Sequence, residues 1–494
     1  MYLGIDCGTQ GTKALILNPE TGEVLGQGSA LHRLISGANG RREQDVDQWL
    51  IALEQATHAA LQQAGISGQA IKGMAVSGQQ HGLVLLDEQG TVLRPAKLWC
   101  DTESTAENQR LLDDLGGEAG SIERLGVAIA PGYTVSKLLW TQANHPELFA
   151  RIAHILLPHD YLNYWLTGRC CSEYGDASGT GYFNIRTRTW DCELLEHIDP
   201  SGRLTAALPE LIDADQAVGT LRTAAAERLQ LNPDVIVASG GGDNMMGAIG
   251  TGNIRSGAIT MSLGTSGTLC AYGDQPVISA HPQVAAFCSS SGGWLPLICT
   301  MNLTSASGLI QQLLALDLND FSSLVESAPI GAEGLLMMPF FNGERVPALP
   351  HATASLSGMT SENLNRANLC RAVVEGTLFS LRYGLDLLRD SGIESRDIRL
   401  IGGAAKSPMW RQAVADIMAT PLVCPEHTEA AALGAAIQAA WCVATLKGEA
   451  VSLEKLCNTC VRLDQHAHTK PDPQRSAQYE SVYQRYYEHL KQYQ

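Results

Sequence analysis

A carboxylate beside a run of glycines, two glycine–threonine turns and an uncharged Gln-Gln-His cluster are the parts of this 494-residue sequence whose types and spacing could do chemistry. The carboxylate is Asp243. The apolar run Val235-Ile236-Val237-Ala238 reads as a buried strand, and Gly240-Gly241-Gly242 then lead through Asp243-Asn244 into the helix-like Met245-Met246-Gly247-Ala248-Ile249. Glycines let a ligand or another backbone come close, so this pattern displays Asp243 at a strand end over a cleft, where a general base could sit. An Asp at that place also caps a following helix, and the stretch alone leaves both roles open.

The turns carry a different chemistry. Residues 2 to 17 read as two short strands joined by Gly8-Thr9-Gln10-Gly11-Thr12, a turn able to aim backbone N–H groups and two hydroxyls at one phosphate. Asp6, just before it, adds a carboxylate suited to Mg²⁺, directly or through the ion's water shell. A plain hairpin has the same appearance, but the pattern recurs half a chain later as Gly264-Thr265-Ser266-Gly267-Thr268, again between apolar strands. Two related halves, each with a phosphate hairpin at the lip of a shared cleft, account for the duplication. One hairpin can hold the phosphate in transfer and the other its neighbour.

The remaining elements position these groups. Ile71 to Ser77 reads as a strand ending in Gly78-Gln79-Gln80-His81-Gly82, whose donors and acceptors without strong charge suit the hydroxyls of a sugar or polyol. Asp101, after Leu98-Trp99-Cys100, could accept from a substrate hydroxyl or cap a helix. Residues 45 to 64 have the apolar spacing of an amphipathic helix, which places Trp49 in the core. Lys137 opens an apolar helix and requires a negative partner. In the second half, Ile398-Arg399-Leu400-Ile401 leads into Gly402-Gly403-Ala404-Ala405-Lys406-Ser407 and then a helix, so glycines again bring a strand end close to something flat or phosphorylated. Small residues at 429–436 suit close helix packing or approach to a nucleotide, and the tail from Pro473 reads as a solvated helix.

The totals limit what these parts can serve. The length implies two large domains or more, and a net charge of −17 disfavours nucleic acid and anionic membranes as partners. No basic n-region with an apolar core opens the sequence and no 18-residue uncharged apolar run occurs, so a soluble, cytoplasmic protein is expected. Thirteen scattered cysteines fit reduced thiols, Cys170-Cys171 and Cys457-x-x-Cys460 among them.

Together, and in order over essentially the whole chain, these segments resemble the FGGY family of carbohydrate kinases, nearest the branch that phosphorylates D-xylulose. Asp6 with Gly8-Thr9 resembles the first phosphate motif, Gly264-Thr265-Ser266-Gly267 the second, and Gly402 to Ser407 the adenosine motif. Gly241-Gly242-Asp243-Asn244 is similar to the segment with the catalytic base, and Gly78 to Gly82 to a pentulose loop where glycerol kinases usually carry an Arg-Glu pair. Gly132 to Trp140 looks like the family's first signature, with Thr141 at a usually apolar place.

The resemblance implies an α/β, two-domain, actin-like and Hsp70-like (ribonuclease H-like) fold, with lobes 1–244 and 245–494 around a cleft. It implies ATP and Mg²⁺ as co-substrate and cofactor, a small sugar as partner and, by family habit, a homodimer. The implied site has Asp243 as base, ionised at neutral pH through its helix N-terminus. Gln80, His81, Asp101 and Asn244 are expected on the sugar. Gly8, Thr9, Gln10, Thr12, Lys13, Gly264, Thr265, Ser266, Gly402, Gly403, Ala404, Lys406 and Ser407 are expected on the nucleotide, and Asp6 on the metal. Kinases of another sugar or polyol remain alternatives, as does an ATPase that phosphorylates no small molecule.

Overall fold

The computed structural model describes residues 1–493. Two seven-stranded mixed sheets organise it. The first uses β1 (Tyr2–Cys7), β2 (Gly11–Asn18), β3 (Glu23–Leu31), β4 (Gly73–Gly78), β5 (Ala217–Thr220), β6 (Ile236–Ala238) and β7 (Gly241–Gly242) in the spatial order β5-β6-β4-β1-β2-β3, with β7 also pairing with β4. The second uses β8 (Gly257–Leu263), β9 (Gly267–Ala271), β10 (Ala285–Cys288), β11 (Trp294–Thr300), β12 (Ser395–Ile401), β13 (Leu422–Pro425) and β14 (Leu463–Thr469), in the order β10-β11-β9-β8-β12-β13-β14.

The two sheets share one plan. In each, an antiparallel hairpin (β1–β2, β8–β9) is extended on one side by an antiparallel strand and on the other by parallel strands, β4 and β6 or β12 and β13. The duplication expected from the repeated turns is therefore a duplication of sheets, and each Gly-Thr turn sits at the tip of its sheet's central hairpin, after Cys7 and after Leu263.

Helices cover both. α1 (Val46–Ala64) is capped by the Asp45 carboxylate and ended by Gly65 in the left-handed region, and it buries Val46, Trp49, Leu50, Leu53, Ala56 and Leu61. α2 (Thr134–Asn144) packs on neighbouring helices, α3 (Pro158–Thr167) packs on β4, β5 and β6, and α4 (Asp243–Gly250) follows β7 directly and touches β4. In the second half, α5 (Arg366–Asp390) is the central buried helix and α6 (Pro408–Met418) follows the glycine loop. α7 (Ala430–Leu446) packs on β1, β2, β4 and α4, so a helix from late in the chain completes the core of the first sheet with Tyr2, Leu15, Leu17, Met246 and Ile249.

α8 (Pro473–Leu490) corrects the expectation of a solvated tail. Tyr479, Val482, Tyr483, Tyr486 and Leu490 form a buried stripe against α5 and α6, and the Tyr486 hydroxyl meets Ser380 at 2.9 Å. Its polar composition belongs to the opposite face. No helix among the described residues is long and apolar enough to cross a membrane. All thirteen cysteines are free, with Cys457 and Cys460 buried on one short helix.

Candidate active site

Asp243 is the first residue of α4, directly after β7, and its carboxylate is held locally: Oδ1 accepts from the Asn244 backbone N–H at 2.8 Å and from Asn244 Nδ2 at 3.1 Å. The turn before it is fixed from across the molecule. Gln438, fully buried on α7, accepts from the Gly240 N–H at 2.9 Å and donates to the Gly240 carbonyl at 3.2 Å. The carboxylate is less acidic than its helix N-terminus alone would make it, and is about half ionised at neutral pH. Burial, and then the charge of nearby Asp6, push Asp243 up to about 7, outweighing the hydrogen bonds from Asn244.

The loop Gly78–Gly82, expected to meet the sugar, is linked to the helix that begins with this carboxylate. Gln80 Oε1 accepts from Asn244 Nδ2 at 2.9 Å, which links the loop to α4, while the buried Gln80 Nε2 has no partner among the described residues. A buried amide donor without an acceptor costs free energy that a ligand oxygen can return. His81 has φ of 63°, in the left-handed region, and that conformation is clamped by its own carbonyl, which accepts from Lys137 Nζ at 2.7 Å and from Thr134 Oγ1 at 3.1 Å. Lys137, buried on α2, thus takes carbonyls as partners (Gly132 O also, at 2.5 Å), where an anion had been expected. Burial lowers it to about 7, against the opposing charge of Asp101.

The His81 ring stacks on Tyr133 with centroids 4.8 Å apart and lies 5.6 Å from Phe287 of β10. Its Nδ1 is 3.0 Å from the Gly179 carbonyl, which assigns the proton to Nδ1 and leaves Nε2 as an acceptor. Burial and then Lys137 hold the imidazole down near 3, so it is neutral.

Asp101 is placed elsewhere. It is fully buried; Oδ1 accepts from the Glu103 N–H at 3.1 Å, and Oδ2 from the Arg42 N–H at 2.7 Å and from Lys97 Nζ at 2.9 Å. Glu43, Asp101 and Glu103 are close enough together to resemble a metal site, but the Lys97 ammonium lies among them, 2.6 Å from Glu103 and 3.4 Å from Glu43. Asp101 ties Arg42, Lys97 and Glu103 together, and both of its oxygens are already bonded.

The first Gly-Thr hairpin, expected to hold phosphate, is pinned by side chains from other elements. Thr9 Oγ1 donates to Gln79 Oε1 at 3.2 Å and accepts from Trp99 Nε1 at 3.0 Å, and the Thr9 carbonyl accepts from Gln44 Nε2 at 2.7 Å. Thr12 is buried with its hydroxyl 3.3 Å from His32, so this side chain fixes the hairpin and does not face the cleft. Gly8 and Gln10 stay accessible at the tip. Lys13 pairs with Glu429, the residue before α7, at 2.5 Å.

Asp6 accepts from Ser77 Oγ at 3.0 Å through one oxygen, and the other accepts no hydrogen bond from the described residues. Burial raises it to about 6, against the opposing charge of Lys13. Two carboxylates close enough for one to raise the other, with oxygen donors only, fit a Mg²⁺ ion brought in with nucleotide phosphates.

The second hairpin and the glycine loop are contiguous. The Gly264 and Thr265 carbonyls are tied to residues 303–305, at the start of the helix Thr304–Leu313, which leaves Thr265 exposed and Ser266 half-buried at the tip. Gly402 has φ of 95°, and a Cβ there would lie 2.5 Å from the Leu263 carbonyl, so only glycine lets this loop abut the hairpin. Gly403, Ala404 and Lys406 follow in a 3₁₀ turn, and Ser407 is the residue just before α6.

The same fold and spacing occur in known proteins. Residues 1–250 match the N-terminal domain, and residues 259–443 the C-terminal domain, of the FGGY family of carbohydrate kinases. The chain belongs to that family. This FGGY kinase is 51% identical to the xylulose kinase of Haemophilus influenzae over the full length of both chains, and 38% identical to that of Streptomyces coelicolor over 89% of this chain and 87% of the relative. The solved xylulose kinase of Bifidobacterium adolescentis superposes with a TM-score of 0.83 at 31% identity, covering 97% of this chain and 99% of the other. Membership makes the chain an ATP-dependent sugar kinase of the actin-like α/β fold.

Several groups around the site of this FGGY kinase escaped the reading of the sequence: Gln44, Gln438, Phe287 and the loop residue Arg345. Gln44 and Phe287 sit in unremarkable stretches. Arg345 stands in a Gly-Glu-Arg-x-Pro loop after a buried strand, a pattern that could have marked it.

Proposed function

We propose that this kinase transfers the γ-phosphoryl group of ATP to the primary C5 hydroxyl of D-xylulose, giving D-xylulose 5-phosphate. The observation that carries the choice of sugar is the identity of 51% with a xylulose kinase from end to end. The site's chemistry supports it: a buried amide donor without a partner on Gln80, a neutral imidazole acceptor on His81 and an adjacent carboxylate suit a neutral polyhydroxyl compound.

Asp243 accepts the proton of the attacking hydroxyl and orients its oxygen. Gln80, Asn244 and the Nε2 of His81 hold the other hydroxyls. The backbone of Gly8–Gln10 and of Gly264–Ser266 cradles the phosphates, and Gly402, Gly403, Ala404, Lys406 and Ser407 border the adenosine. Asp6 would hold Mg²⁺, which neutralises phosphate charge when bound. Transfer proceeds in line, and positioning with charge neutralisation supplies most of the rate. Closure of the cleft between the two sheets, with α7 held to the first sheet, excludes water that would otherwise accept the phosphoryl group.

The test is ADP formation with MgATP alone and with D-xylulose, D-ribulose, L-ribulose, L-xylulose, glycerol and ribitol in turn. Strong stimulation by D-xylulose is expected, stimulation by a different member replaces the sugar, and ADP formation indifferent to all of them rejects the kinase reading.

His81→Ala is expected to raise KM for the sugar by about 10–100-fold, the cost of one lost hydrogen bond in a dry pocket, with KM for ATP within about twofold. Equal changes in both constants would place His81 outside the sugar site.

The pH profile follows from Asp243. A base must be deprotonated, and its pKa of about 7 means that the competent fraction falls as pH drops below that value. We expect kcat/KM for the sugar to fall about tenfold per pH unit below about 7, more steeply below about 6 where Asp6 is protonated as well, and to level off above 7, with His81, neutral throughout, adding no limb of its own. A flat profile from pH 5.5 to 8 would reject this assignment.

A further inference from the structure

The reaction just described converts a neutral sugar into a phosphate dianion beside two carboxylates, Asp6 and Asp243. The pocket therefore needs a cation that is free to meet the new charge. The lysines nearby are already engaged: Lys13 with Glu429, Lys97 with three carboxylates, and Lys137 with two carbonyls beneath the His81 loop.

Arg345 is not. It has no carboxylate partner among the described residues, and its exposed guanidinium lies 5.7 Å over the Trp99 ring, with Nη1 3.8 Å from Cys299 Sγ. Each neighbour bears on the reaction. Trp99 donates to Thr9 of the first phosphate hairpin, and Cys299 is close enough to Asp243 to be raised by its charge. The charge of Arg345 reaches His81 and Tyr133 as well. The guanidinium thus lies over Trp99, which holds the first Gly-Thr hairpin, and beside Cys299, with its charge felt at the His81 loop, near where the acceptor hydroxyl and the γ-phosphoryl are proposed to meet.

Arg345 also comes from the second half of the chain, on a rigid mount. The Glu344 carboxylate, buried, accepts from the Met301 N–H at 2.6 Å, the Arg345 N–H at 2.8 Å, Asn302 Nδ2 at 3.0 Å and the Asn302 N–H at 3.3 Å, which ties the loop to the end of β11. The long side chain reaches from that anchor toward Trp99, across the cleft. A planar fork of donors matches phosphoryl oxygens in a way that a lysine does not.

We infer that Arg345 is a further catalytic residue, which binds the phosphoryl group as it moves from ATP to the sugar and then holds the phosphate of the product. In that step the bond from the sugar oxygen to Pγ forms as the bond from Pγ to the β–γ bridging oxygen breaks. The electron pair of the broken bond stays on ADP, and the hydroxyl proton goes to Asp243. Arg345 donates hydrogen bonds to the equatorial oxygens and transfers no proton.

The inference rests on the kinase reading above, and the test separates the two. Calorimetric binding of D-xylulose and of D-xylulose 5-phosphate is measured for wild type, Arg345→Gln and Arg345→Lys, alongside kcat. In Arg345→Gln we expect affinity for the sugar within about twofold of wild type, affinity for the sugar phosphate lower by about 10–100-fold, and kcat lower by about 10²–10³-fold. Arg345→Lys should recover part of each loss, because it restores charge without the fork.

Equal loss for both ligands would make Arg345 a sugar contact, and no loss for either would remove it from the site; each outcome overturns the inference. The guanidinium is exposed, so both variants should keep the wild-type thermal midpoint. If the wild type turns over a different sugar, that sugar and its phosphate replace the pair, and the role of Arg345 is decided independently of D-xylulose.

Discussion

Asp243→Ala is expected to lower kcat by about 10³–10⁴-fold while D-xylulose and ATP still bind with affinities within about threefold of wild type. The asymmetry follows from where the contacts lie. The groups proposed to face the nucleotide, Gly8 to Gln10, Gly264 to Ser266 and Gly402 to Ser407, belong to loops whose hydrogen bonds do not include Asp243. On the sugar side, Gln80 keeps its bond from Asn244 and His81 keeps its clamp from Lys137. What disappears is the proton acceptor. The check is stopped-flow or steady-state turnover paired with calorimetry on the same preparation. Turnover near wild type would remove Asp243 from the chemistry, and loss of sugar binding in parallel with kcat would make it chiefly a binding group.

This prediction also marks where a sequence stops being informative. That Asp243 follows a glycine run at a strand end was legible, because glycine, strand and helix signals are local. Its protonation was not. The helix dipole argued for a stable anion, but burial and the carboxylate of Asp6, which lies 237 positions earlier, push the pKa the other way. The same division runs through the site. The duplicated Gly-Thr turns announced two halves, and the sheets repeat one strand order. The facing of individual side chains inside those turns depends on partners far along the chain: Thr9 is fixed by Gln79 and Trp99, and Thr12 turns inward to His32. Asp101 had the type and spacing of a substrate contact, and only the position of Lys97 shows that its oxygens are already bonded. The Gly-Glu-Arg-x-Pro loop was legible as a pattern, but what Arg345 could do there depends on Trp99 and Cys299, 246 and 46 positions earlier.

Gly434→Ala should have the largest effect on folding, destabilising the protein by about 3 kcal/mol or more although it adds a single methyl group. A Cβ at Gly434 on α7 would lie 1.8 Å from the Met246 carbonyl on α4, and reciprocally one at Gly250 would lie 1.8 Å from the Ala430 carbonyl. A Cβ at Gly4 of β1 would lie 1.9 Å from the Ala432 carbonyl, so α7 is in backbone contact with both the strand that carries Asp6 and the helix that begins with Asp243. Because the obstacle in each case is backbone, no side-chain rotation relieves it and the elements must separate.

Separation would also pull Gln438 away from Gly240 and loosen the turn that presents Asp243. Any folded fraction of Gly434→Ala should therefore lose activity along with stability. Gly247→Ala is the control. It lies on the same α4, where a Cβ meets nothing within 4 Å, and removing a glycine from a helix interior is expected to stabilise by about 0.5–1 kcal/mol. Denaturant midpoints measured on both variants separate the two cases. A Gly434→Ala protein as stable as wild type would mean that α7 does not approach α4 this closely, and the positioning of Asp243 through Gln438 would have to be abandoned with it.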